Sequence, residues 1–118
     1  LNVKKHKATL IDVLKKISKN NQKVIGYGAS TKGNVILQFL KINPKLIPLI
    51  VEVNKFKFNK FTPGSKIKIV SEKMIKKIKP DYMLVLPWHF KNFILEKEKN
   101  FLNNGGKLIF PLPEVEIY

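Results

Sequence analysis

Lys23-Val24-Ile25-Gly26-Tyr27-Gly28-Ala29-Ser30-Thr31-Lys32-Gly33-Asn34 is the stretch on which the fold turns. Val24 and Ile25 are apolar at successive positions, so the segment reads as a strand buried on both faces, the mark of a parallel sheet covered by helices. It runs into glycines, which let the backbone turn tightly and approach a ligand. From residue 34 to 41 the apolar residues Val35, Ile36, Phe39 and Leu40 switch to helical spacing. Strand, glycine turn and helix together open a βαβ unit. The free amides at such a helix start favour an anion such as a phosphate.

Upstream, Leu10, Val13, Leu14 and Ile17 recur at i, i+3, i+4 and i+7, which predicts an amphipathic helix over residues 7–20. Downstream, Asn43-Pro44 stops the helix that follows the glycine turn. Residues 46–52 form a second buried strand that ends on Glu52, with Pro48 arguing weakly against a central place for it. A basic stretch with interleaved Phe56, Phe58 and Phe61 leads to the turn Thr62-Pro63-Gly64. Ile67, Ile69 and Val70 suggest a short strand, and Ser71 is placed to cap a helix that buries Met74, Ile75 and Ile78. Residues 82–86 are the most apolar strand, and Pro87-Trp88-His89 breaks it. A helix over 90–103 then turns Phe93, Ile94, Phe101 and Leu102 inward, Gly105-Gly106 ends it, and residues 107–110 are a last strand. Helices alternating with four or five such strands predict an α/β, three-layer Rossmann-like domain with a mostly parallel sheet. Residues 1–22 are expected as a leading helix packed on the domain formed by residues 23–118.

The chain has 118 residues and no cysteine, which excludes a disulfide scaffold, a zinc ribbon, an iron–sulfur site and a thiol nucleophile. No apolar run approaches the roughly 18 residues needed to cross a bilayer, and no signal peptide is apparent, so a cytoplasmic location and no membrane partner are expected. The start at Leu1 suggests a piece of something longer. The net charge is +15, and all 23 basic residues are lysine. Arginine reads guanine edges and phosphates through a planar fork that lysine lacks, so nucleic acid is disfavoured as a partner. A lysine-coated surface is the plainer explanation of the charge, beside some attraction for phosphorylated ligands.

In open parallel sheets, ligands sit beyond the carboxyl ends of the strands where the strand order reverses. That rule brings three segments forward: the glycine loop, Glu52, and Pro87-Trp88-His89-Phe90. Glu52, 24 positions after Gly28, stands where dinucleotide-binding folds keep an acid for ribose hydroxyls, or it is simply a solvated strand end. Counted from Gly26, the third glycine of the dinucleotide fingerprint falls on Thr31, which argues against NAD. His89 beside aromatics is more often structural than a base, and His6 sits on a lysine-rich helix start. No His/Asp/Glu cluster has metal-ligand spacing, and no serine stands in a nucleophile elbow, so no metal and no catalytic residue is assigned.

The glycine loop from Gly26 to Asn34, then Phe61-Thr62-Pro63-Gly64, Pro80-Asp81-Tyr82, Leu84-Val85-Leu86-Pro87-Trp88-His89-Phe90, Gly105-Gly106-Lys107 and Pro111-Leu112-Pro113-Glu114 resemble, in order, the C-terminal domain of SAM-dependent sugar C-methyltransferases. In that family a zinc domain and a SAM-binding Rossmann domain precede this one. The whole enzyme methylates a carbon next to the keto group of a nucleotide-diphosphate deoxysugar: a base removes the α proton, and the enolate attacks the SAM methyl. The resemblance implies that SAM and the catalytic residues belong to the middle domain of the parent chain. This chain alone is then expected to be inactive, with the nucleotide-diphosphate sugar and the SAM domain as its partners. Gly26, Tyr27, Gly28, Ala29, Ser30, Lys32, Gly33 and Asn34, with Glu52, Thr62, Pro63, Gly64, Pro87, Trp88 and His89, are the expected substrate-binding residues. A stand-alone nucleotide-sugar binding module without catalysis is the alternative.

Overall fold

The computed structural model describes residues 3–118, with side chains from residue 8 onward, so the His6 side chain lies outside the described residues. A leading helix, α1 (Val3–Lys19), precedes β1 (Val24–Tyr27), α2 (Thr31–Phe39) and β2 (Leu49–Glu52). Then follow β3 (Lys68–Ser71), a single helical turn α3 (Ile75–Ile78), β4 (Tyr82–Val85), α4 (Lys91–Lys97), α5 (Lys99–Asn103), β5 (Lys107–Phe110) and β6 (Glu116–Ile117). The six strands make one sheet in the order β3-β2-β1-β4-β5-β6. β1 to β5 run parallel, and β6 adds an antiparallel edge beyond the four or five strands expected.

Strand alternation divides the core into two clusters. Val24, Ile50, Ile69, Leu84 and Ile109 point to one face, where they meet Leu10, Leu14 and Ile17 of α1 and Ile36 and Leu37 of α2. Ile25, Val51, Met83, Val85 and Leu108 point to the other, under Ile94 and the partly buried Ile75 and Phe101. That split follows from right-handed crossovers: the chain moves outward through β1-α2-β2 on one face, then reverses and must cover the other. Each fully buried Leu or Ile contributes about 1.5–3 kcal/mol relative to exposure, so a sheet packed on both sides holds most of the stability. The Cα radius of gyration, 13.1 Å, is that of a compact unit of about this length with its own core.

Several boundaries differ from expectation. α2 starts at Thr31 rather than residue 34 and buries Gly33, Ile36 and Leu37, leaving Val35 and Phe39 exposed. Pro48 precedes β2 and so costs the ladder nothing. Ser71 does cap, but what it caps is a 3-10 turn over Glu72–Met74, with α3 only one turn long. The helix expected over 90–103 is a 3-10 turn at Trp88–Phe90 followed by α4 and α5, broken at Glu98. Phe93, expected inside, is 68% exposed. Gly105 does take the left-handed conformation, φ 94°, and closes α5.

Candidate functional site

The order of the sheet reverses between β1 and β4, so the crevice of this fold opens at their carboxyl ends. Gly28 turns the chain there with φ 81°, and a Cβ on it would stand 2.8 Å from Pro87 Cδ. Its N–H donates to the Val51 carbonyl at 2.8 Å. Ser30 has extended backbone and caps α2, its Oγ accepting from the Gly33 N–H at 3.0 Å. Gly33 lets α2 lie on the end of β4, because a Cβ would come 2.3 Å from Leu86 Cβ.

These contacts move the glycine count. Gly28 makes the tight turn and Gly33 makes the close helix–strand approach, the roles of the first and third glycines in G-x-G-x-x-G. The fingerprint therefore starts at Gly28, not Gly26, and the position that departs from glycine is its middle one, Ser30, rather than its third. Gly26 lies inside β1, where a Cβ would stand 2.7 Å from Ile50 Cγ1. It is a packing glycine.

Glu52 is neither a solvated strand end nor a free ribose acceptor. Its Oε1 accepts from the Ala29 N–H at 2.8 Å, and its Oε2 accepts from the N–H groups of Val53 and Asn54 at 2.7 and 2.9 Å. The Lys57 ammonium donates to the Ala29 carbonyl at 2.8 Å and lies 4.0 Å from Glu52. Burial pushes the carboxyl up, but the Asn54, Ala29 and Val53 amides and the Lys57 charge outweigh it and hold Glu52 below the ordinary carboxylate range. Both the N–H and the carbonyl of Ala29 are thus clasped, from the end of β2 and from the segment after it. Thr31 and Lys32 are exposed in the first turn of α2, where helix geometry leaves amides without an intrahelical acceptor.

The crevice encloses about 210 Å³. Of the expected residues, Tyr27, Gly28, Ser30, Glu52 and Pro87 line it. Phe90, from the segment foreseen after the most apolar strand, lines it too, and so do Lys57, Phe93 and Lys97, unforeseen from sequence. Phe90 and Phe93 are exposed at its mouth. Tyr27 donates its hydroxyl to Glu98 Oε2 at 2.7 Å, and Lys97 pairs with Glu72 at 3.0 Å while standing 5.7 Å from the Tyr27 ring centroid. Burial, and then the Glu98 carboxylate, push the Tyr27 hydroxyl well above the ordinary tyrosine range.

The remaining candidates sit elsewhere. Pro63 and Gly64 lie against Gln38, whose Nε2 donates to the Pro63 carbonyl at 3.0 Å. Gln38 is in the last turn of α2, about 12 Å along the helix from Ser30, so this turn does not join the crevice. Thr62 is buried and hydrogen-bonds Ser65 and the Ile67 N–H, a self-contained turn that sequence spacing could not place. Trp88 packs against both core clusters. His89 is exposed, in edge contact with Trp88 at 5.7 Å and tilted on Phe90 at 4.2 Å. Neither lines the crevice. Two buried polar atoms have no hydrogen-bond partner among the described residues, Asn34 Oδ1 and Trp88 Nε1. Among the described residues no cluster of three or more His, Cys, Asp or Glu could hold a metal ion. No helix there is long and apolar enough to cross a membrane.

The crevice does not fit a whole SAM molecule. Its volume is under the roughly 300–1,000 Å³ of small-molecule sites, and the acid expected to take ribose hydroxyls is spent on backbone amides. The C-methyltransferase NovU of Streptomyces niveus is 33% identical over 111 residues, covering 94% of this chain and 26% of NovU. The chain thus spans about a quarter of that relative. The profile of the C-methyltransferase C-terminal domain matches residues 1–113, and the chain belongs to that family.

Proposed function

We propose that the chain is the substrate-side module of a SAM-dependent C-methyltransferase acting on a nucleotide-diphosphate keto-deoxysugar, and that it holds the diphosphate while methyl transfer proceeds on another domain. The observation that carries this reading is the clasp of Glu52 and Lys57 on Ala29. It fixes the loop in front of α2 before any ligand arrives, so the exposed Thr31 and Lys32 amides meet an anion at little ordering cost. The Lys32 side chain, exposed in the same turn, supplies a cation beside them. Gly28 and Ser30 form the floor, and Pro87 walls it on the β4 side. The exposed Phe90 and Phe93 at the mouth suit closure by an apolar surface of the SAM-binding domain, which would shed water from the sugar.

Calorimetric titrations with a nucleotide-diphosphate deoxysugar, SAM, NAD and a short DNA duplex, each at low and physiological salt, test this role. The nucleotide sugar binds at both salts, SAM and NAD bind more weakly than it does, and the chain alone transfers no methyl group. Duplex affinity falls steeply with salt, as expected of a lysine coat. Tight SAM binding, or a nucleotide-sugar signal that vanishes at physiological salt, would overturn the assignment.

A further inference from the structure

Among the described residues, a cavity larger than the crevice lies away from the glycine loop, on the opposite side of the sheet from α2. The β3-to-β4 crossover supplies only one turn of helix, α3, and between it and α5 a groove of about 930 Å³ remains open. That volume falls within the roughly 300–1,000 Å³ of small-molecule sites.

Its lining has three kinds of chemistry. Ile75, Pro80 and the Phe101 ring give an apolar floor. The ring rests where a Cβ on Gly106 would stand, 2.4 Å from the nearest ring atom, so Gly106 is what admits it. Asn100 and Asn104 are exposed beside Phe101, and amides of this kind pair with the edges of a purine. Lys73, Lys76 and Lys79 are exposed along the α3 wall and have no ion-pair partner among the described residues. The carboxylates facing them are committed: Glu72 to Lys97, Glu98 to the Tyr27 hydroxyl and Asp81 to the Lys23 N–H. From the combination of stacking floor, edge-reading amides and uncommitted cations, we infer that the α3–α5 groove is a second ligand site, and that it takes a nucleoside phosphate. The base lies on Phe101 within reach of Asn100 and Asn104, and the phosphate meets Lys73 and Lys76.

Glu72 and Lys97 wall both this groove and the crevice at the glycine loop, so occupancy is read at residues belonging to one cavity alone. The test is a backbone-amide NMR titration of the 118-residue chain with AMP, adenosine and inorganic phosphate at physiological salt. AMP gives saturable shifts at Lys79, Asn104, Gly105 and Gly106 and none at Gly28 or Ser30. The exposed double substitution Lys73→Gln/Lys76→Gln weakens AMP at least fivefold while leaving adenosine within twofold. Phe101→Leu weakens AMP and adenosine and spares inorganic phosphate. No saturable shift in the groove, shifts confined to Gly28 and Ser30, or AMP affinity unchanged in the lysine double variant would each overturn the site.

Discussion

Replacing Glu52 with glutamine isolates the clasp on which the proposed phosphate site depends. The carboxylate accepts three backbone N–H bonds, and its side chain is 10% exposed. Glutamine keeps the shape and one acceptor oxygen, but its amide NH₂ must face either the Ala29 N–H or those of Val53 and Asn54. At least one donor then points at another donor. Hydrogen bonds to a charged group contribute about 1.5–3 kcal/mol each, so Glu52→Gln should cost about 2–3 kcal/mol at neutral pH. Urea unfolding of both proteins from pH 7.5 to 3.5 measures it. Because Glu52 in the fold titrates below its ordinary value of 4.5, its contribution is complete above that pH and is lost as the pH falls through the lower folded value. The gap between the two proteins must therefore close in acid, where the native side chain becomes a neutral acid resembling the variant. Exchange of the Ala29 amide should quicken in the variant at neutral pH. A difference under about 0.5 kcal/mol, or one that stays constant across the pH range, refutes the reasoning.

Gly33→Ala gains about 1 kcal/mol of helix propensity but forces its methyl group against Leu86, so it should lower the melting temperature by about 4–8 °C in a thermal scan. Leu37→Ala, at a fully buried position of α2, should cost about 2–5 kcal/mol by urea unfolding. The Tyr27 phenol is held neutral by burial and by Glu98, so its Cζ chemical shift should not change as the pH passes the ordinary value of 10.0. The stability it contributes is full below that pH and is lost only above it.

Much of the fold was legible because it rests on local patterns. Val24 and Ile25 running into Gly26 and Gly28 announced a buried strand and a turn, and Leu10, Leu14 and Ile17 marked the α1 face that is buried. The misjudged features depend on what the chain meets in three dimensions. Val35, Phe39 and Phe93 have helical spacing, but which arc of a helix faces the sheet is set by the crossovers. Residues 90–103 carry no internal proline or glycine, and the break at Glu98 comes with a carboxylate that takes the hydroxyl of Tyr27, 71 positions away. Glu52 was correctly placed at a strand end, yet its partners are backbone amides, which every residue has and no sequence displays. Thr62-Pro63-Gly64 read correctly as a turn, but only the contact with Gln38 shows that it lies at the far end of α2.

The decisive measurement is an amide-resolved NMR titration of the chain with a nucleotide-diphosphate deoxysugar at physiological salt. Saturable shifts at Gly28, Ser30, Thr31 and Lys32, weakened when Glu52→Gln loosens the loop, are expected of a module that holds the diphosphate at the start of α2. Absence of any shift there, or shifts spread over the lysine surface without saturation, would remove the phosphate site and leave the chain a packing domain.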